Sequence, residues 1–214
     1  MKKPLFITFE GVEGCGKSTQ ARLLYRRLQK LNVPVVLIHE PGVTALGERI
    51  TRLLKWSKDM EISPLAELLL FNASRAQLVK EIINPALSEG KVVLCDRFAD
   101  STTAYQGYGR GIDLNTVEAV NRTGTYGLTP DLTILLDMPV EKGLARKKDQ
   151  NADRFHAETA GFHRRVREGY LTLAAESPER WVVIDATAGK EAIAKIIWEK
   201  VEGLVGKYQV ASSK

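Results

Sequence analysis

Five short apolar runs punctuate the chain, at residues 5–9, 35–38, 92–95, 132–136 and 181–184. None alternates with polar residues. Continuous apolarity is the pattern of strands covered on both faces, as in a parallel sheet between layers of helix. The stretches between them carry a helical period instead. Ala21, Leu24, Leu28 and Leu31 recur at steps of three and four, as do Phe162, Val166, Tyr170 and Leu173. Ser63-Pro64 offers a side-chain cap and a first-turn proline to a helix carrying Leu65, Leu68, Leu69, Asn72 and Ala76. Strands alternating with helices predict a doubly wound α/β fold, one domain over residues 1–214. In such folds ligands sit at the carboxyl ends of the strands, so chemistry is expected just after each apolar run. Residues 146–157 break the rhythm: they are polar, without period, and lie between two helical patterns. They read either as a surface loop or as a lid that closes over substrate.

Composition narrows the class. At 44% apolar and 27% charged residues, the 214-residue chain has the profile of a soluble globular protein. A chain of this length buries roughly 70% of its unfolded surface and needs no disulfide to fold. Its two cysteines, Cys15 and Cys95, are too few for a secreted disulfide scaffold, so a reducing, intracellular setting is expected. No apolar run approaches the roughly 18 residues that a membrane span requires, so no membrane association is expected. The tip Met1-Lys2-Lys3 resembles the start of a signal peptide, but the apolar stretch behind it runs straight into Glu10 and Gly11 and reads as a strand. The net charge of +5 favours phosphorylated ligands or nucleic acid. The basic clusters, Arg146-Lys147-Lys148 and Arg164-Arg165 with Arg167, contain no interleaved aromatics for base stacking. They read as solvated faces, and no nucleic-acid partner is expected.

The first strand runs into Gly11-Val12-Glu13-Gly14-Cys15-Gly16-Lys17-Ser18, a match to G-x-x-x-x-G-K-[ST] with a strand before it and a helix after. Such glycines let successive backbone N–H groups turn around phosphate oxygens at a helix N-terminus, whose dipole favours anions. Lys17 would reach the β- and γ-phosphates of a nucleotide, and Ser18 would offer its hydroxyl to Mg²⁺. The third run ends in Asp96-Arg97. A carboxylate leaving a buried strand beside a phosphate loop is the usual second anchor for hydrated Mg²⁺. Arg97 beside it makes sense if a second phosphate must be gripped by a planar fork, although a simple Asp96–Arg97 pair is the plainer alternative. Glu40-Pro41-Gly42 follows the second run, with Gly42 permitting a sharp turn. Phe71 and Arg75 lie four apart on the Ser63 helix and share a face, so they read either as stacker and reader of a base or as a core ring beside a surface arginine. Gly107-Tyr108-Gly109-Arg110-Gly111 has no strand before it and reads as a loop. The three histidines show no metal-ligand spacing.

Taken together, these segments resemble the thymidylate kinase family. The resemblance spans nearly the whole chain and rests on five segments in order. They are Phe9-Glu10-Gly11-Val12-Glu13-Gly14-Cys15-Gly16-Lys17-Ser18-Thr19, Glu40-Pro41-Gly42, Phe71-Asn72-Ala73-Ser74-Arg75, Asp96-Arg97-Phe98 and Ser101-Thr102-Thr103-Ala104-Tyr105-Gln106-Gly107. Asp153-Arg154 follows at the lid position. The resemblance implies a five-stranded parallel sheet, a cytoplasmic homodimer, and Mg²⁺-dependent transfer of the ATP γ-phosphate to dTMP. It implies that residues 11–19 hold ATP, and that Glu13, Glu40, Phe71, Arg75, Arg97, Ser101 and Gln106 hold dTMP. Within that set Phe71 stacks on thymine, Arg75 meets its edge and Arg97 takes the monophosphate. Arg146 and Arg154 act as catalytic arginines with Lys17 and Arg97, as in members whose phosphate loop lacks the arginine that Glu13 replaces here. Val43 departs from the family, which usually carries glycine there, and so does His156, where Asp-Arg-x-Glu usually ends.

A deoxynucleoside kinase of the same class would need a general base, with Glu40 as candidate, and usually carries Glu rather than Asp96 before the arginine. A GTP switch would need an Asn-Lys-x-Asp guanine reader, which the chain lacks. A non-catalytic nucleotide-binding module is disfavoured by the intact Lys17, Ser18 and Asp96.

Overall fold

The structure is a computed structural model describing residues 4–57, 60–146, 155 and 158–210. Five strands, β1 (Leu5–Glu10), β2 (Val35–His39), β3 (Val92–Asp96), β4 (Leu132–Asp137) and β5 (Trp181–Asp185), form one all-parallel sheet in the order β2-β3-β1-β4-β5. The helices between them are α1 (Lys17–Lys30), α2 (Ala45–Trp56), α3 (Pro64–Leu78), α4 (Asn84–Ser88), α5 (Ala99–Thr102), α6 (Leu114–Gly124), α7 (Val140–Ala145), α8 (Ala160–Glu176) and α9 (Lys190–Val210).

Every strand runs one residue beyond its apolar run and ends on Glu10, His39, Asp96, Asp137 or Asp185. The ladder continues past the last apolar side chain: Phe9 pairs with Asp96, Glu10 with Leu135 and Asp137 with Asp185. The sheet thus delivers a row of polar side chains to its carboxyl edge. β1 is buried throughout, and a core of Ile7, Phe9, Leu94, Ile134 and Leu136 meets α1 and α9 through Leu24, Leu28, Ile197 and Val201. After β1 the chain crosses outward to β2, whereas after β3 it crosses to β4 on the other side of β1. The crevice between the carboxyl ends of β1 and β3 is therefore the switch point at which doubly wound folds bind ligands.

Three expectations need correcting. Leu31 lies just past the end of α1 and is exposed rather than part of its buried stripe. In α3, Ser63 Oγ caps the helix by accepting from the Ala66 N–H at 3.3 Å, but Leu65 and Leu69 are half exposed. The buried face of α3 is instead Glu67, Leu68, Asn72, Ser74, Arg75 and Leu78, because this helix walls the site. The glycine-rich segment at 107–111 is not a plain loop either. Thr103–Gly109 continues α5 as a widened helix with i→i+5 bonding. A Cβ on Gly107 would lie 2.7 Å from Leu114 Cδ2, and one on Gly109 2.7 Å from the Phe162 ring. These glycines permit close helix packing, not a turn.

Candidate active site

The phosphate loop leaves β1 at Gly11 and ends on Gly16, whose left-handed backbone (φ 98°) starts α1. Lys17 is buried, its Nζ donating to the carbonyl oxygens of Gly11 and Val12, both at 2.9 Å. Ser18 Oγ donates to Asp96 Oδ2 in a very short contact. The two residues expected to anchor a cation are therefore brought together from α1 and β3, at the mouth of the loop. The set offers only hard oxygens and few of them, which suits Mg²⁺, an ion that keeps most of its water and takes the rest of its ligands from phosphates. Arg146, at the end of α7, reaches back to the carbonyl oxygen of Gly14 at 3.4 Å. With Glu13, Lys17, Ser18, Asp96 and Arg97, it lines an open cleft of about 600 Å³. Arg154, Asp153 and His156 lie outside the described residues.

A second cavity, of about 80 Å³, opens off this cleft and shares Glu13, Glu40 and Arg97 with it. Phe71, Arg75, Ser101 and Gln106 line it, so the structure gathers the expected acceptor residues at one place. Arg97 stands at the junction. Its partner is Glu13, at 2.6 Å, and not Asp96, which disposes of the simple Asp96–Arg97 pair. Its other donor nitrogen contacts Ser101 Oγ, Tyr170 OH and the Gly11 carbonyl oxygen at 3.1 to 3.2 Å. Arg97 adopts φ 73°, a left-handed backbone that costs a side-chain-bearing residue about 1–2 kcal/mol. The bonds around it hold that conformation: its own N–H donates to the Phe9 carbonyl oxygen at 3.0 Å, and the Phe98 N–H donates to Glu10 Oε1 at 2.7 Å.

In the sequence, Glu10 ends an apolar run and stands in the first of the segments shared with the family, but nothing there gives it a role in the site. It is fully buried, and its Oε2 accepts from the hydroxyls of Ser101 at 2.6 Å and Tyr170 at 2.9 Å, the same two that flank Arg97. Burial, and after it the charge on Asp100, push the Glu10 carboxyl up to about 7, against the pull of Arg97. Tyr105, inside a shared segment but given no role there, and Tyr170, which no motif marks, join it in the site. Both are driven up by burial and both donate toward the acidic cluster.

Arg75 is 1% exposed. Its Nε and one terminal nitrogen meet the Glu40 carboxylate at 3.1 and 2.6 Å. The remaining N–H groups go to Asn72, Asn121, Thr102 and the Phe98 carbonyl oxygen. All five N–H groups thus have protein acceptors. Burial pushes the Glu40 carboxyl up and Arg75 opposes it. Phe71 packs on Phe155 (5.7 Å between ring centroids), a ring from the expected lid segment that carries no motif of its own.

Two arginines of the basic cluster are paired, Arg164 with Glu141 at 2.7 Å and Arg167 with Asp137 at 2.7 Å. Among the described residues no helix is long and apolar enough to cross a membrane.

The profile of the thymidylate kinase family matches residues 9–197, from the last residues of β1 to within α9. The chain belongs to this family. A thymidylate kinase of Dehalococcoides mccartyi (strain CBDB1) is 55% identical over 202 residues, which cover 94% of this chain and 97% of that protein. One from Trichlorobacter lovleyi is 48% identical over 204 residues, covering 92% and 96%. The crystal structure of thymidylate kinase from Ehrlichia chaffeensis superposes with a TM-score of 0.71 at 38% identity, covering 85% of this chain and 92% of that one. Membership agrees with the P-loop architecture seen here, a five-stranded parallel sheet with the phosphate loop after β1 and Asp96-Arg97 after β3.

Proposed function

We propose that this chain transfers the γ-phosphoryl group of ATP to dTMP, giving ADP and dTDP. The observation that carries the reading is the position of Arg97, a largely buried cation between the cleft at the phosphate loop and a smaller cavity walled by an aromatic ring and an amide. An acceptor lying there puts its base against Phe71 and its phosphate beside Arg97. A phosphomonoester loses its second proton near pH 6, so at pH 7 its oxygen is already a nucleophile. It attacks the γ-phosphorus as the bond to the β–γ bridging oxygen breaks, and no proton changes hands. No general base is needed, which agrees with Glu40 being engaged by Arg75. What the chain contributes is alignment and charge: Lys17 and the loop N–H groups on the donor, Arg97 on the acceptor, Arg146 at the mouth of the cleft. Ser18 and Asp96 would hold Mg²⁺, which when bound neutralises charge on the β- and γ-phosphate oxygens.

The active unit is a homodimer in the cytoplasm. Supporting it, Leu65 and Leu69 lie one turn apart on α3 and are half exposed, as are Leu46 and Trp56 on α2. Mass by sedimentation checks the dimer.

Arg97→Lys tests the site. Lysine keeps the charge but loses the fork, and a hydrogen bond to a charged group contributes about 1.5–3 kcal/mol. The expected result is a fall in kcat/KM for dTMP of at least roughly tenfold, with KM for ATP within about threefold. Unchanged dTMP kinetics would remove Arg97 from the acceptor site.

A further inference from the structure

Glu67 is fully buried on α3 and belongs to none of the segments assigned to ATP or dTMP. Its Oε1 accepts from Gln106 Nε2 at 2.8 Å and from Arg110 Nε at 3.1 Å, while its Oε2 accepts from a terminal nitrogen of Arg110 at 3.3 Å. Arg110 extends the chain of contacts to Glu158 at 2.6 Å. A carboxylate paired with a guanidinium only accepts hydrogen bonds. The atom of Gln106 turned toward Glu67 is therefore its NH₂, and the amide carbonyl Oε1 points the other way. Gln106 is 1% exposed, lines the acceptor cavity, and its Oε1 receives no donor among the described residues.

We propose that Glu67 is a positioning residue that fixes the Gln106 amide with its oxygen toward the cavity, so that the site selects a base carrying an N–H at position 3. Thymine and uracil present that donor. Cytosine presents a lone pair at N3, which faces the Gln106 oxygen without a proton between them. Turning the amide over would satisfy cytosine but would set the amide oxygen against the Glu67 carboxylate, two acceptors facing each other with no proton between them, a costly exchange in a buried site. Arg75 does not supply this choice, because its N–H groups already have protein acceptors. The assignment rests on the acceptor cavity being the dTMP site.

The test is Glu67→Gln, compared with the wild-type enzyme on dTMP and dCMP under saturating Mg-ATP. A glutamine at 67 can donate or accept, so Gln106 is free to take either orientation. The expected result is a fall of at least tenfold in the ratio of kcat/KM for dTMP over dCMP, seen in KM for dTMP, with KM for ATP within about twofold. If the buried substitution prevents folding, Glu67→Gln with Arg110→Gln removes both charges together and carries the same expectation. A ratio unchanged within threefold in a folded variant overturns the proposal. So does a uniform loss on dTMP, dCMP and ATP, the result of a merely structural role. A wild-type enzyme that takes dCMP as readily as dTMP sinks the dTMP reading itself, whereas a wild-type preference that survives the substitution overturns the role of Glu67 alone.

Discussion

Gly14, at the tip of the phosphate loop, and Gly143, in α7, approach so closely that a Cβ on Gly14 would lie 2.1 Å from the Gly143 carbonyl oxygen. In return, a Cβ on Gly143 would lie 2.3 Å from the carbonyl oxygen of Glu13. The contact packs the phosphate loop directly on the helix that leads to Arg146. Gly14 also sits at φ 73°.

Gly14→Ala should therefore displace the loop from α7 and misplace the N–H groups that face the donor. We expect a loss of about 1–3 kcal/mol in stability from the forced contact. KM for ATP should rise and turnover fall at least roughly tenfold, because misplaced donors no longer meet the developing charge. Urea unfolding with steady-state kinetics checks both, and wild-type values in both would show that the loop does not depend on α7.

Glu10 makes stability depend on pH in a defined direction. Its carboxyl rises from 4.5 to about 7 on folding, so between those values the folded chain holds a proton that the unfolded chain has released. The stabilising contribution is full below about 4.5 and is lost as pH rises through about 7. It amounts to a few kcal/mol, since each tenfold change in proton affinity is worth about 1.4 kcal/mol. Glu10→Gln cannot titrate and should flatten this segment of the stability curve relative to wild type. Parallel curves from pH 4.5 to 7 would place the titration elsewhere.

Val43 tests the backbone after Glu40-Pro41-Gly42. It adopts φ 72° although it is β-branched. Alanine at 43 would lose the valine packing and keep the strain, whereas glycine would lose both. Strain of about 1–2 kcal/mol exceeds the roughly 0.4–1 kcal/mol that glycine costs through the unfolded chain. Val43→Gly should therefore be more stable than Val43→Ala by up to about 1 kcal/mol, the reverse of the usual order. Alanine above glycine in thermal or urea unfolding would contradict the left-handed backbone.

Much of the fold is legible in the chain. Apolar runs locate all five strands: β1, β3 and β4 are covered on both faces, and the edge strands β2 and β5 keep an apolar run although they are only partly buried. They miss each strand's last residue because ladder hydrogen bonds do not require apolar side chains, and that final residue is where Glu10 and Asp96 sit. The phosphate loop can be read because its spacing is local. The Arg97–Glu13 pair cannot, since it joins residues 84 apart in sequence. Leu65 and Leu69 mislead because an apolar stripe looks the same in sequence whether it faces a core or is left exposed. Gly107 and Gly109 mislead because glycine for close packing looks like glycine for a turn. Glu67 carries no signal at all, as nothing in sequence separates a buried glutamate from an exposed one on a helix.

The central claim is that the acceptor enters as a monophosphate held by Arg97. It is tested most directly by kcat/KM for dTMP and for thymidine with Mg-ATP, following ADP release and separating the nucleotide product. Thymidine leaves Arg97 without an anion and offers a hydroxyl that no free base activates. The account predicts dTDP as product and thymidine lower by at least roughly a thousandfold, the scale of a lost charge contact joined to a missing base. Thymidine phosphorylated within about tenfold of dTMP would contradict it and make Glu40 the catalytic base.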